Sequence, residues 1–239
     1  MRRKMEVDLK TISREIKAKR IARIKLLGDS ITHGVGGTDF CQNGVQIVNG
    51  YSRNPNGYCW ANLLKGYLES KYNCLVFNNA CTGTNIEFII GNYEKLVDKE
   101  DDFIICMIGT NNRHQLKSDG ERQERESFAK DFYEKILLLN NRFKKENKTV
   151  LFMSNIPASK QNEEDGDVYW RILHMDDINA IYKAAFTKSN FLFVSLYDLF
   201  NEYLKENQIT CDSLLCDGLH PNDEGHRIMF ELIRKELLL

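Results

Sequence analysis

Five short apolar runs alternate with longer segments of helical period, and this alternation constrains the fold more than any other feature of the sequence. The runs are rich in β-branched and aromatic residues, which is typical of strands buried on both faces. The longer segments carry mixed charged and apolar faces, which is typical of helices that cover a sheet. The alternation therefore predicts a parallel sheet with helices on both sides. The predicted strands are 23–28, 74–78, 102–109, 149–154 and 191–195, and the predicted helices are 57–71, 84–98, 121–146, 171–188 and 223–238.

Length and composition indicate one main globular domain that follows a basic N-terminal arm. The chain has 239 residues, of which 42% are hydrophobic, enough to bury a sizeable core. Residues 1–22 form the arm, and their apolar residues are spaced as on a short amphipathic helix. We expect this helix to dock either on its own domain, residues 23–239, or on a second subunit of a homo-oligomer.

Charge and cysteine usage exclude several classes of partner. The formal net charge is -1 at pH 7, which gives no electrostatic case for nucleic acid or an anionic membrane. The basic arm lacks the apolar segment of a signal peptide, and no run is long enough to span a bilayer. Seven cysteines without a Cys-x-x-Cys pair indicate a reducing compartment, and we expect a cytoplasmic protein without a metal site.

The stretch "LLGDSITHGVGG", residues 26–37, places a serine directly after the first predicted strand. Its glycines fail the requirements of a phosphate-binding loop, because Gly36 and Gly37 are followed by Thr38 rather than lysine. The dinucleotide fingerprint fails as well, because Asp39 stands where a third small residue is needed. Ser30 is therefore either the cap of the next helix or a nucleophile.

Small and polar residues also follow other predicted strands, at the edge where parallel sheets bind ligands. Gly83 follows the second strand, Asn111 follows the third, and Asp217 and His220 come after the fifth. Taken singly, each has an ordinary alternative as a turn, helix-entry or surface residue. Taken together, they supply what a nucleophilic serine requires, namely a base, an acid that orients it, and donors for an oxyanion. The predicted donors are the N–H groups of Ser30 and Gly83 and the side-chain amide of Asn111.

The four segments that carry these residues resemble the blocks of the SGNH hydrolases, also called GDSL-like esterases. The blocks are "GDSIT" with Ser30, "NNACTG" with Gly83, "GTNN" with Asn111, and "DGLHP" with Asp217 and His220. The resemblance implies a flavodoxin-like three-layer α/β/α sandwich around a five-stranded parallel sheet. It also implies a serine hydrolase that acts on esters or thioesters without a metal or an organic cofactor.

Two positions depart from the family pattern. Asn112 stands where the third block usually has Asp, and Ala80 stands where the second often has Gly. Neither position is assigned to proton transfer or oxyanion binding. Three other residues at the predicted rim, His33, Arg113 and His114, are candidate substrate contacts, with ordinary loop roles as the alternative.

The segment 34–57 follows Ser30 directly, so we expect it to lie over the site. It is rich in Asn and Gly, and Tyr51, Tyr58 and Trp60 lie in it or just beyond it. Amide and aromatic side chains suit a sugar ring, although Tyr58 and Trp60 could equally begin helix 57–71 and pack in the core. The leading hypothesis is an esterase that removes a short acyl group, acetyl, from a saccharide or glycoconjugate.

Other activities remain open at this stage. One alternative is a lysophospholipase or thioesterase-type acyl hydrolase, and another is a catalytically silent binding module of the same fold. The sequence does not separate a hydrolase from an acyltransferase, because an alcohol can replace water in attacking an acyl-enzyme.

Overall fold

The computed structural model describes residues 8–41, 54–113, 115–116, 122–164, 170–189 and 191–239. A five-stranded parallel sheet confirms the predicted α/β architecture. Its strands are β1 (Arg23–Gly28), β2 (Leu75–Asn78), β3 (Phe103–Met107), β5 (Thr149–Met153) and β7 (Leu192–Val194), while β4 (Gln115–Leu116) and β6 (Trp170–Arg171) form a separate antiparallel pair. The main sheet has the order β2-β1-β3-β5-β7. This is the order of doubly wound sheets of the flavodoxin type, in which ligands bind where neighbouring strands send their connections in opposite directions.

Helices cover both faces of the sheet because successive strand residues point to opposite sides. On β1, Leu26 belongs to the apolar cluster of one face, and Leu27 belongs to the cluster of the other. Both residues are almost fully buried, so both faces of β1 are covered at these positions. The first face is covered by α1 (Leu9–Lys17), α3 (Trp60–Tyr72), α9 (Leu196–Asn207) and α10 (Asp223–Glu236), and the second by α4 (Ile86–Gly91), α5 (Tyr93–Leu96), α6 (Arg122–Lys145) and α8 (Met175–Ser189).

The helices that cover the sheet differ from the predicted ones in two places. The predicted helix 84–98 is two short helices that meet at Asn92. This residue has a φ of -113°, outside the helical range, and its side chain donates to the Phe88 carbonyl (3.0 Å). The second difference is α9, which the sequence analysis did not predict. Ser195 caps this helix by accepting from the Asp198 N–H.

The amphipathic helix of the N-terminal arm packs on its own domain. Asp8 caps α1 by accepting from the Thr11 N–H (2.7 Å), and Ile12 and Ile16 lie in the cluster of the first face. The Ser13 hydroxyl donates to the carbonyl of Leu238 (3.1 Å), which joins α1 to the chain just beyond α10. In the described ranges, no helix is long and apolar enough to cross a bilayer.

Candidate active site

Ser30 is the first residue of the short helix α2 (Ser30–His33), which begins where β1 ends. The helix is capped by Asp29 rather than by Ser30, because an Asp29 carboxylate oxygen accepts from the Ile31 N–H (3.1 Å). Ser30 is only 4% exposed. The structure therefore assigns the capping role to Asp29 and leaves the Ser30 hydroxyl for another partner.

That partner is His220. The Ser30 Oγ lies 2.8 Å from His220 Nε2, and His220 Nδ1 lies 2.7 Å from an oxygen of Asp217. The other Asp217 oxygen accepts from the backbone N–H groups of Leu219 (3.0 Å) and His220 (2.7 Å), which fixes the carboxylate. Because the carboxylate can only accept, it selects the His220 tautomer with hydrogen on Nδ1, so Nε2 accepts from the Ser30 hydroxyl.

The charge on Asp217 is stabilised by the same contacts. Partial burial raises the pKa of the carboxyl, but the hydrogen bonds from the backbone and ring of His220 and from the Leu219 N–H outweigh it. The net result is a pKa below the usual value for aspartate. Asp217 is therefore ionised at neutral pH and can stabilise an imidazolium at His220.

A buried polar network that sequence reasoning missed lies beneath Ser30. Asp29 is fully buried, and its second oxygen accepts from the Asn155 side chain (3.1 Å), which also donates to the Thr110 hydroxyl. Burial raises the pKa of Asp29, although the hydrogen bonds from Ile31, Thr110 and Asn155 oppose the rise. The network links the segments that follow β1, β3 and β5. The sequence signal that could have indicated this network is a polar residue, Asn155, that closely follows a buried strand.

Two of the predicted oxyanion donors lie on segments tied to the end of β1. The Cys81 N–H (3.0 Å) and the Thr84 hydroxyl (3.2 Å) both donate to the Gly28 carbonyl, which holds the turn that contains Gly83. Gly83 has a φ of 77°, and its N–H donates to no acceptor among the residues that the structure describes. One N–H of the Asn111 amide donates to the Thr84 carbonyl (2.7 Å), which leaves its second N–H for a ligand.

Asn112, one of the departures from the family pattern, has a local explanation. Its side-chain oxygen accepts from the Ile86 N–H (3.0 Å) and its amide nitrogen donates to the Glu87 carboxylate (2.9 Å). An aspartate here would bring a second carboxylate against Glu87, whose charge is already paired with Lys135. The Asn112 amide is therefore compatible with the neighbouring Glu87 carboxylate, to which it donates.

Two of the three candidate substrate contacts, His33 and Arg113, are buried. His33 is fully buried, with Nδ1 2.8 Å from the Thr82 hydroxyl. Arg113 is also fully buried, and it donates to the Glu163 carboxylate (3.0 Å) of the short helix α7 (Lys160–Glu163). Both side chains thus contact other protein segments, and their role as substrate contacts stays a prediction. His114 lies outside the described residues.

Of the aromatic residues expected near the site, Trp60 is buried and Tyr58 is exposed. Trp60 is fully buried in the core at the start of α3, which is the alternative role considered for it. Tyr58 is 37% exposed, and its N–H donates to the Thr38 carbonyl (2.8 Å). Tyr51 and the rest of the segment 42–53 lie outside the described residues.

The glycines at the end of the opening stretch allow the chain to pass close to His220. A Cβ atom on Gly36, whose φ is 96°, would lie 2.2 Å from the carbonyl oxygen of Pro221. A Cβ atom on Gly37 would lie 1.8 Å from the carbonyl oxygen of Tyr58. A larger residue at either position would displace backbone, so these glycines serve close packing beside the histidine.

His226 packs under this glycine segment and is neutral. Its Nε2 is 3.3 Å from the Val35 carbonyl, and its Nδ1 has no partner among the described residues. Burial lowers the pKa of His226 to about 4 from the ordinary 6.5. Between these two pH values, His226 therefore binds a proton in the unfolded chain but not in the folded chain.

This difference predicts acid destabilisation that depends on one residue. As the pH falls from 6.5 to about 4, protonation of His226 in the unfolded chain should lower the free energy of unfolding by about 3 kcal/mol. Urea unfolding across this window should show a flatter pH dependence for His226→Gln, whose amide can still donate to Val35 but does not titrate. Equal pH slopes for the variant and the wild type would contradict the assignment.

Neither cross-links nor metal clusters contribute to the described site. All seven cysteines lie in the described part of the chain, and each is a free thiol. Within that part, no group of three or more His, Cys, Asp or Glu side chains is arranged to hold a metal ion.

A serine hydroxyl that donates to a carboxylate-oriented imidazole is an arrangement suited to nucleophilic attack on a carbonyl carbon. At the edge of a doubly wound α/β/α sandwich, it defines the class of the protein as a hydrolase. The family model for the GDSL-like lipases and acylhydrolases matches residues 26–228, and the chain belongs to this family. It is a hydrolase of carboxylic esters.

Solved structures share the fold at low sequence identity. Axe2, an acetylxylan esterase from Geobacillus stearothermophilus, has a TM-score of 0.67 and 22% identity, covering 91% of this chain and 94% of Axe2. A catalytic mutant of Axe2 in which a serine is replaced has a TM-score of 0.66 at 22% identity, with 90% and 94% coverage. LAE5, an alpha/beta hydrolase enzyme from the metagenome of Lake Arreo, has a TM-score of 0.62 at 19% identity, with 90% and 94% coverage. None of the curated proteins matches the sequence significantly.

Proposed function

We propose that this esterase removes a short acyl group, acetyl, from a saccharide or glycoconjugate through a Ser30-His220-Asp217 triad. The observation that carries the proposal is the unbroken chain of hydrogen bonds from the Ser30 hydroxyl (2.8 Å) through the imidazole to the Asp217 carboxylate (2.7 Å). The distances suit direct proton transfer between Ser30 and His220 without a bridging water.

In acylation, Ser30 Oγ bonds to the ester carbonyl carbon while its proton passes to His220 Nε2. The carbonyl π electrons move onto the carbonyl oxygen, which becomes an oxyanion, and Asp217 stabilises the imidazolium. When the oxyanion collapses, the bond to the saccharide oxygen breaks, and that oxygen takes the proton from Nε2. The acyl group remains on Ser30.

Deacylation repeats these steps with water in place of the serine. His220 takes a proton from water, the hydroxide oxygen bonds to the acyl carbon, and the second tetrahedral intermediate expels Ser30 Oγ. The proton on Nε2 returns to Oγ, and acetic acid leaves and loses its proton to the solvent. Both intermediates place negative charge on the former carbonyl oxygen.

The N–H groups of Ser30 and Gly83 and the free N–H of the Asn111 amide would stabilise that oxygen. The Ser30 N–H belongs to the first turn of a helix, where N–H groups have no intrahelical acceptor. The Asn111 amide is oriented by its other hydrogen bond, to the Thr84 carbonyl (2.7 Å). Donors held in place before the reaction are the effective ones, because they need no reorganisation when charge develops.

Two observations support an acetylated saccharide as the substrate. Thr82, Gly83 and Asn111, on the segments that follow β2 and β3, are exposed and are polar or small, and the aromatic Tyr58 is also exposed. Axe2 is described as an acetyl-xylooligosaccharide esterase, and its catalytic mutants replace an aspartate and a histidine three positions apart (194 − 191). Asp217 and His220 have the same spacing (220 − 217).

A panel of acyl esters tests the chain length. We expect kcat/KM to be highest for p-nitrophenyl acetate and to fall as the acyl chain lengthens. We also expect the enzyme to release acetate from acetylated xylo-oligosaccharides. Ser30→Ala assayed on the same panel controls for contaminating esterases. Maximal activity on long acyl chains would replace the proposal by a lysophospholipase or thioesterase activity.

We also propose that the protein is cytoplasmic. This location is supported by the seven free thiols, of which Cys59, Cys74, Cys81 and Cys106 are buried, since buried thiols of this kind serve as small apolar side chains in reducing compartments.

A further inference from the structure

A polar cleft of about 380 Å³ lies beside the proposed triad. It opens next to Asp217, whose side chain is 51% exposed. The His220 imidazole ring lies between the Asp217 carboxylate and the Ser30 hydroxyl and is hydrogen-bonded to both. The cleft adjoins Asp217 and does not include Ser30 or His220, so a substrate that occupies both the cleft and Ser30 has to pass around the His220 ring. Its lining residues are Ser159, Gln161, Asn162, Asp212, Leu215, Cys216, Asp217 and Gly218.

One wall of the cleft is α7, and buried contacts behind it fix its position. The Ser159 N–H donates to the carbonyl of Gly218 (2.8 Å), which joins α7 to the segment of Asp217 and His220. The Ser159 hydroxyl caps α7 by accepting from the Asn162 N–H (3.1 Å). The wall and the proposed acid-base segment therefore form one connected unit.

Arg113 orients an amide toward this cleft. The guanidinium is fully buried and donates to the side-chain oxygen of Asn162 (3.0 Å) and to the Glu163 carboxylate (3.0 Å). Because the Asn162 oxygen is bound to Arg113, the amide nitrogen is left on the other side. That nitrogen donates to no acceptor within the described residues, and Asn162 lines the cleft. The cleft thus has a hydrogen-bond donor whose orientation is set before any ligand binds.

The remaining lining groups match hydroxyl-bearing ligands. The Gln161 amide can both donate and accept, and the Asp212 carboxylate accepts. Two carboxylates, Asp212 and Asp217, disfavour an anionic ligand such as a phospholipid headgroup. Sugar hydroxyls act as donors and acceptors at once, so they can satisfy the amide and carboxylate groups together.

We propose that this cleft binds a neutral saccharide unit of the substrate, next to the unit whose acyl group is attacked. The inference rests on the proposed function, and it adds a second subsite with Gln161 and Asn162 as specificity-determining residues. Occupation of the cleft makes longer acetylated oligosaccharides better substrates than acetylated monosaccharides.

The test compares two substrates on variants of the full chain. Gln161→Ala removes an exposed amide, and Asn162→Asp keeps the acceptor for Arg113 but removes the donor. We expect each to lower kcat/KM for acetylated xylotetraose about tenfold, because one hydrogen bond to the bound saccharide is lost. With p-nitrophenyl acetate, which has no saccharide, both should stay within about twofold of the wild type. Lys160→Ala, on the same helix but outside the cleft, is the matched control and should change neither activity.

The outcomes separate this inference from the proposed function. Equal losses on both substrates would overturn the subsite and indicate a structural role for α7, and unchanged activity on acetylated xylotetraose would also overturn it. If the wild type hydrolyses p-nitrophenyl acetate but no acetylated saccharide, the proposed function itself fails, and the subsite fails with it. This last outcome is recognised from the wild type alone.

Discussion

Replacing Ser30 by alanine should lower kcat by about a million-fold, because the variant has no oxygen that can form the acyl-enzyme. The fold should remain intact, since the hydroxyl contacts only the His220 ring among its described partners, and Asp29 still caps α2. Hydrolysis of p-nitrophenyl acetate measures the loss, and thermal unfolding verifies that the variant is folded.

A fluorophosphonate probe gives an independent measurement at the same residue. The wild type should be labelled on Ser30, Ser30→Ala should not be labelled, and Ser70→Ala should behave as the wild type because Ser70 is an exposed serine of α3. Labelling of Ser30→Ala together with retained esterase activity would exclude Ser30 as the nucleophile. Absence of labelling in the wild type would likewise contradict Ser30 as the nucleophile.

Asp217→Asn should lower kcat by about 10⁴-fold through the tautomer of His220. The amide oxygen can still accept from the backbone N–H groups of Leu219 and His220, so the amide nitrogen faces the ring where the carboxylate oxygen was. That nitrogen donates to Nδ1 and leaves the ring hydrogen on Nε2. A protonated Nε2 cannot accept the proton of Ser30, although the geometry of the site is preserved.

The matched control for this variant is Asp212→Asn, which makes the same chemical change at a neighbouring exposed residue. Asp212 contributes no side-chain hydrogen bond to His220, so its variant should keep the activity toward p-nitrophenyl acetate. A similar loss in both variants would attribute the effect to local charge rather than to the tautomer. The pH dependence of kcat adds a second readout, because only Asp217→Asn removes the partner that stabilises the imidazolium.

The strands were predictable from sequence because parallel strands buried on both faces need continuous apolar runs. The run at 102–109 shows this, since β3 occupies its centre, Phe103–Met107, and every residue of β3 is buried. The helix α9 also carries a usable signal, since Leu196, Phe200 and Leu204 recur every four residues and lie in the core. It was missed because it follows β7 almost directly, without a turn rich in Gly or Pro. The break at Asn92 lies in the backbone conformation of one residue, which has no periodic signal.

The site was predictable where it depends on topology and not where it depends on burial. Ser30, Gly83 and Asn111 each follow a strand, and the carboxyl ends of parallel strands meet at one edge. By contrast, Asn155 reaches Asp29 across 126 positions of sequence, and Arg113 reaches Glu163 across 50. A sequence shows that an arginine lies near the rim but not that the chain folds over it. For this reason Arg113 was considered as a substrate contact, and its burial was not predicted.

The contact between α1 and the chain beyond α10 affects how the protein is made. Ser13 bonds to a residue 225 positions away, and Ser30 meets His220 across 190 positions. During synthesis from the N-terminus, the first helix and the serine leave the ribosome long before their partners exist. One face of the sheet therefore stays without α10 until that helix emerges, and contacts between segments so distant in sequence are expected to slow folding. A nascent chain of this esterase exposes an unfinished apolar face, so we expect it to depend on chaperones until synthesis has passed α10.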